Sequence, residues 1–287
     1  MDGILIINKP KNHTSHDIVN IARKVLKTRR IGHIGTLDPN ATGVLVLCVN
    51  KATKLVKYFE NHDKTYLATI RLGVKTDTDD ITGNIIDVDQ NISLTKEKIL
   101  AGLNTFIGKQ KQVPPKYSAI KINGRKLYEL ARRDLNIPEI EPRDIEVFSM
   151  EEFEMIDSVT FNVVMKVSKG TYIRSIARDL GESLGTYGTL VDLERLEIDQ
   201  FNIKDAITID QLKIGEYQLL DPFKFLKLPH FKIDPIRQQL IENGRFLEPE
   251  IFPEKTDTII FDESNHPLAI YYYDAEKNQM RMSVKWC

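Results

Sequence analysis

Apolar and polar positions along this 287-residue chain group into short periodic stretches separated by turn-forming residues. Residues 3–7, GILII, form an apolar run that ends at Asn8-Lys9-Pro10, where proline removes a backbone donor, so a strand is predicted there. Thr14 and Ser15 offer hydroxyl acceptors to orphan amides. Ile18, Ile21, Ala22 and Val25 then recur at helical spacing, with Arg23, Lys24 and Lys27 on other faces. Residues 32–45, GHIGTLDPNATGVL, are dense in Gly, Asp, Pro and Asn and read as a loop anchored at both ends by apolar runs. Residues 65–72 read as a strand, 76–83 as a turn-rich connection, and Thr95 as the cap of a helix reaching about Ile107. In 160–167, Phe161, Val163, Met165 and Val167 face one way, the alternation of a half-buried antiparallel strand. Ile173, Ile176, Ala177 and Leu180 form the stripe of an amphipathic helix closed by glycine.

The pattern changes near Pro222, Pro229 and Pro235. Beyond these lie a short helix (236–242), an Asn243-Gly244 turn and β-rich segments 258–262, 268–273 and 280–286, which suit a small separate β-barrel. The fold class expected is α+β: residues 1–225 as one domain with a mixed, mainly antiparallel sheet and flanking helices, and 226–287 as a second. No fixed-period repeat is present.

Composition alters this picture little. The chain is 41% hydrophobic and 28% charged, ordinary for a globular protein, and no apolar run approaches the ~20 residues of a membrane-spanning helix. Two cysteines, Cys48 and Cys287, are too few for a disulfide framework or a four-cysteine zinc site, and the N-terminus is a poor signal peptide. A cytoplasmic protein away from membranes is expected.

Charge adds more. The total is −1, yet residues 1–75 hold 13 Lys+Arg against 5 Asp+Glu, and residues 109–133 hold 8 against Glu129 alone. Positive charge gathered on selected segments is what a polyanion-binding face requires, although an unevenly charged solvated surface would read the same way.

The loop 32–45 carries the most chemical information. Pro39 biases Asp38 toward an extended backbone, and Asp38 is the only acid in residues 18–59. In isolation this is an Asp-Pro turn. However, Gly32, His33, Gly35, Leu37, Asp38, Pro39, Ala41, Thr42 and Gly43 together match G-H-x-G-x-L-D-P-x-A-T-G. This segment resembles the catalytic loop of the bacterial tRNA pseudouridine-55 synthases of the TruB type. The resemblance continues, in order, through Asn8-Lys9-Pro10, Thr14-Ser15, Lys64-Thr65-Tyr66, LGVKTDTDDITG (72–83), PPKYSAIKINGRKLYELAR (114–132), SKGTYIRSIARDLG (168–181) and Leu193-Glu194-Arg195-Leu196. It spans about residues 3–215.

The resemblance implies isomerisation of uridine 55 in the tRNA TΨC arm, with the N1–C1′ bond broken, the uracil turned and C5 joined to C1′. It implies Asp38 as nucleophile, a task a carboxylate suits because it can stabilise or trap an electron-poor C1′. Three routes stay open: attack at C1′, addition to the ring, or abstraction of the 2′ proton. Tyr66 is implied to stack on the base and move a proton at C5, and Arg174 to pair with Asp38. Tyr172 and Leu193 are implied to line the uracil pocket, Asp80 and Arg195 to form a polar shell beside the substrate, and His33 to contact RNA. Lys116, Lys121, Arg125, Lys126, Arg132 and Arg133 fall in an RNA-binding, thumb-like insertion at about 109–146. The C-terminal residues are implied to form a PUA-like RNA-binding module.

No cofactor, metal or obligate protein partner is expected, and a monomer is. The chain holds no P-loop, no dinucleotide glycine motif and no zinc spacing, and in TDTDD the third calcium-ligand position would fall on Ile81. Reaching a stacked base requires flipping it out at a few kcal/mol, offset by salt-sensitive phosphate contacts. Three other readings are a guide-RNA-dependent synthase, a non-catalytic tRNA-folding chaperone and a nucleoside hydrolase, which would release free uracil.

Overall fold

A computed structural model describes residues 1–59, 62–118, 120–122, 124–127, 130 and 139–287, except the side chains of 121, 122, 125 and 126. The chain begins with β1 (Gly3–Lys9), α1 (Ser15–Val25), β2 (Ile31–Ile34), β3 (Thr42–Val49) and α2 (Val56–Phe59). It continues with β4 (Lys64–Leu72), β5 (Val74–Thr76), β6 (Ile85–Val88), α3 (Lys96–Asn104), β7 (Gly108–Gln112) and the two-residue strands β8 (Lys121–Ile122) and β9 (Arg125–Lys126). Next come β10 (Arg143–Met155), β11 (Thr160–Val167), α4 (Ile173–Ser183), β12 (Gly188–Ile198), β13 (Phe201–Asn202) and α5 (Ile209–Ile214). Last are β14 (His230–Lys232), α6 (Pro235–Glu242), β15 (Thr258–Phe261), β16 (Pro267–Asp274) and β17 (Gln279–Lys285).

Among the described residues, nine strands form one mixed sheet in the order β1-β3-β12-β4-β11-β10-β7, with β2 on β3 and β13 on β12. Every pairing is antiparallel except β12 with β3, which run parallel where Glu194 meets Thr42 and Arg195 meets Gly43. That short parallel contact joins the two halves of the sheet, and the segment leading into β3 therefore opens near its middle.

Local chemistry explains the elements that surround this point. Thr14 caps α1 by accepting from the Asp17 amide, and the Asp17 carboxylate accepts from the Thr14 amide, which closes a capping box. Ile18, Val19 and Ala22 of α1 are buried against Leu5, Ile7, Leu45 and Leu47, the inward positions of β1 and β3. On the far half of the sheet, Ile176, Ala177 and Leu180 of α4 pack on Ala68, Ile70, Phe161 and Val163.

Two expectations change. The loop is shorter than 32–45, because Ile31–Ile34 pair with Val46–Val49 as strands, so only residues 35–41 lie between β2 and β3. The backbone pairing available along β3 outweighs the turn-like composition of Gly32 and His33. The C-terminal residues form a four-stranded sheet, β14-β15-β16-β17, and among the described residues no closed barrel. Its strands are two-sided. Ile259, Ile270 and Val284 fall in one cluster with Ala52, Leu55 and Phe223, where Phe223 packs edge-on against Trp286, whereas Ile260, Ala269 and Tyr271 cluster with Ile241 of α6. Among the described residues, no helix is long and apolar enough to cross a membrane.

Candidate active site

Three side chains and one backbone contact from distant segments fix residues 35–43. Arg195, on β12, is fully buried; its Nε donates to the Val44 carbonyl at 2.8 Å and its Nη2 to the Gly35 carbonyl at 2.7 Å. Gly43 lies directly against the Arg195 backbone at φ +98°, and a Cβ there would sit 2.2 Å from the Arg195 carbonyl oxygen. Only glycine meets both conditions. Ser15, at the first turn of α1, accepts from the Leu37 amide at 2.9 Å and donates to the Leu37 carbonyl at 3.1 Å. Lys9, buried at the end of β1, donates from Nζ to the carbonyls of Pro10 (3.0 Å), His13 (2.7 Å) and Pro39 (3.1 Å).

Asp38 therefore sits between two tethered neighbours, Leu37 and Pro39. Its own carbonyl accepts from the Ala41 amide at 3.1 Å, and its side chain is 50% exposed at the rim of a cleft. Leu37 and Ala41 turn inward and pack in the same cluster as Tyr66 of β4.

Arg174 closes the arrangement from α4. Its Nη2 is 3.0 Å from Asp38 Oδ2 and donates to the Tyr117 carbonyl at 3.0 Å; its Nη1 donates to the Thr78 carbonyl at 3.2 Å and stands 3.6 Å from Asp80 Oδ2. The guanidinium is nearly buried while its carboxylate partner faces the cleft, so the rigid member of the pair orients the accessible one. The other Asp80 oxygen accepts from the Thr78 hydroxyl and the Thr82 amide, both at 2.9 Å. Asp38, Asp80, Arg174 and Leu193 line one cleft together with Ala41 and Ile81.

The remaining residues singled out by sequence fall at graded distances from this centre. Tyr66 is buried and opposes Arg195 in the β4–β12 register. Burial pulls the pKa of Arg195 down, and the adjoining Tyr66 side chain works against that shift; Arg195 Nη1 has no hydrogen-bond partner among the described residues. Arg195 braces the loop from behind and is not among the residues lining the cleft. Tyr172 is the residue before α4, held by the Gln112 side chain at both its amide (2.8 Å) and its carbonyl (3.1 Å). Burial raises the Tyr172 hydroxyl pKa above its ordinary value, against the opposing influence of the nearby Ser118 hydroxyl and the charges of Arg143 and Arg174.

His33 lies on β2, its Nε2 3.2 Å from the Thr36 hydroxyl, and its pKa is lowered by burial and then by Arg195. Lys116 is exposed. The side chains of Lys121, Arg125 and Lys126 and the whole of Arg132 and Arg133 lie outside the described residues. Lys9, Ser15, Gln112 and Arg178 carried no site role in the sequence reading. Lys9, Ser15 and Arg178 fall inside matched motifs, and the one further signal was a lysine closing an apolar strand.

Burial lowers the Lys9 pKa to about 8, opposed by the nearby Asp38 charge and reinforced by Arg195. Lys64 is likewise lowered to about 8 by burial and by Arg195. A cleft that presents the half-exposed Asp38 carboxylate against the nearly buried Arg174 guanidinium, with Asp80 and Asp192 also on its walls, is equipped to meet an electron-poor carbon.

Residues 23–173 match the model of the TruB family pseudouridylate synthase N-terminal domain. The chain is 35% identical to tRNA pseudouridine synthase B of Bacillus cytotoxicus, over 99% of this chain and 97% of that one, and 37% identical to that of Bacillus subtilis, over 98% and 96%. A solved Cbf5-Nop10-Gar1 complex contains a chain of the same fold, at 22% identity and TM-score 0.72 over 99% of this chain and 84% of that one. Full-length similarity, the family match and the shared fold agree: the chain belongs to the TruB family of pseudouridylate synthases.

Proposed function

We propose that this protein converts uridine 55 in the TΨC arm of tRNA to pseudouridine, acting as a monomer without guide RNA or partner protein. The observation that carries this reading is the Asp38–Arg174 pair: a half-exposed carboxylate at a cleft, 3.0 Å from a buried guanidinium, on a loop bolted down on both sides.

In this reading the flipped uridine enters the cleft beside Leu193, with Tyr66 and Tyr172 flanking the ring. Asp38 acts as nucleophile while the N1–C1′ bond breaks. The uracil turns, C5 bonds to C1′ as the Asp38 carboxylate is released, C5 loses a proton through Tyr66 and N1 gains one from solvent, so that product and substrate are isomers and nothing is oxidised. Arg174 orients the carboxylate before the base arrives, which lowers the reorganisation needed at the reacting carbon. Asp80 fixes the Arg174 side chain, and Arg195 holds the loop at Gly35.

Lys116 and the cationic residues of the insertion are read as the phosphate-binding side of the site. Residues 226–287 are read as a PUA-like RNA-binding unit, given a fixed position for the tRNA by Lys51 and Lys54, which donate to the Trp286 and Lys285 carbonyls, and by the Phe223–Trp286 ring contact. The test is incubation of the purified protein with an unmodified tRNA transcript, followed by carbodiimide mapping. Pseudouridine at position 55 with no other macromolecule present supports the reading. A requirement for guide RNA supports the alternative synthase, tRNA refolding without modification supports the chaperone, and free uracil indicates a hydrolase.

A further inference from the structure

Asp79, next to Asp80 in the β5–β6 turn, adopts φ +60°, a left-handed conformation that a residue with a Cβ holds only when its surroundings enforce it. Two sets of contacts enforce it. The backbone of the turn is tied to β12, with the Leu190 amide donating to the Asp79 carbonyl at 3.1 Å and the Ile81 amide donating to the Leu190 carbonyl at 2.9 Å. The Asp79 carboxylate is then taken by Arg178, whose Nη1 is 3.0 Å from Asp79 Oδ2.

Arg178 lies one turn beyond Arg174 on α4, so the two guanidinium groups leave the same face of the helix. Together they grip three consecutive residues: Arg174 at the Thr78 carbonyl and Asp80, Arg178 at Asp79. The remaining arms of Arg178 reach the Asp179 carboxylate at 2.8 Å and the Val113 carbonyl at 2.9 Å. Both the Arg178 and the Asp79 side chains are largely shielded from water, at 21% and 16% exposure. A planar fork with donors aimed in three directions suits this role, and an ammonium group does not reproduce it.

We propose that Arg178 is a positioning residue for the isomerisation. By holding Asp79 in its left-handed turn it aims the Asp80 carboxylate at Arg174, and Arg174 in turn fixes Asp38. Arg178 touches neither the cleft nor the substrate. The inference rests on the reading of Asp38 and Arg174 given above.

The experiment compares wild type, Arg178→Met, Arg178→Lys and the double variant Arg178→Met/Asp79→Gly, with tRNA-binding stoichiometry measured for each so that rates refer to folded protein. Glycine adopts the left-handed turn without a side chain to hold, so it replaces the function assigned to the ion pair. The expected result is a kcat lowered on the order of 10- to 100-fold per binding-competent molecule in Arg178→Met with KM changed less than about twofold, partial recovery in Arg178→Lys, and recovery to within about threefold of wild type in the double variant. A normal kcat per binding-competent Arg178→Met molecule overturns the proposal, as does an equal loss in the single and double variants. Absence of pseudouridine with the wild type instead overturns the functional reading and this proposal with it.

Discussion

The Ser15 hydroxyl brackets Leu37, accepting from its amide at 2.9 Å and donating to its carbonyl at 3.1 Å, so the first turn of α1 sets the backbone one residue ahead of Asp38. One small side chain thereby satisfies two buried polar groups of the loop. Ser15→Ala leaves both without a partner, at a cost of about 1–3 kcal/mol in stability, and frees Asp38 to wander. Urea denaturation should show the loss of stability, and steady-state kinetics should show a lower kcat with KM for tRNA little changed.

Gly43 tests the loop from its other end. Gly43→Ala needs φ +98° and places a Cβ 2.2 Å from the Arg195 carbonyl oxygen, so the β3–β12 contact must open. Gly170 also has positive φ, +84°, but faces open space, so Gly170→Ala carries only the conformational cost, about 1–2 kcal/mol. Thermal unfolding of the two variants should rank Gly43→Ala as clearly the more damaging.

Lys9 gives stability and activity different pH dependences. Its folded pKa, about 8, lies below its ordinary value of 10.5, so between those limits the unfolded chain binds a proton that the folded chain has released. Stability from this group therefore rises with pH across that window, and Lys64, also near 8, acts in the same sense. Activity should move the other way. A neutral amine has one donor fewer for three carbonyls, and the Pro39 tether loosens. Turnover should fall above about pH 8 while urea midpoints do not, and in Lys9→Met, which lacks the tether at every pH, turnover should be low and this basic limb absent.

Lys11 and Asp192 form an exposed ion pair at 2.6 Å beside the cleft. An exposed pair contributes about 0–1 kcal/mol, so Asp192→Asn should leave stability nearly unchanged and release Lys11 for a phosphate. Binding of tRNA measured against salt concentration should become steeper by roughly 0.7–0.9 in log–log slope.

The strands and helices around the site were legible because each has one buried face and a simple period, as in Phe161 to Val167 or Ile173 to Leu180. Asp38 and Arg174 were legible through motif resemblance, and the structure brings them into contact. The sheet order was not legible, because the parallel contact of Arg195 with Gly43 joins residues 152 positions apart and leaves no local trace. For the same reason Arg195 reads from sequence only as part of a polar, supporting shell, and what it supports, the carbonyls of Gly35 and Val44 behind the loop, has no sequence signal. Lys9 and Arg178 are charged residues whose partners are backbone carbonyls or a neighbouring turn, and composition predicts neither. The C-terminal barrel was expected from short strands and prolines. The second face of that sheet instead joins, through Ile259, Ile270 and Val284, the cluster that holds Ala52, Leu55 and Phe223.

The most direct test of the account is Asp38→Asn, which keeps the size of the side chain and removes the anion that Arg174 holds. Single-turnover reaction on an unmodified tRNA transcript, with binding measured on the same preparation, should show no pseudouridine and an affinity within about twofold of wild type. Continued turnover by the asparagine variant would contradict the assignment of Asp38 as the nucleophile.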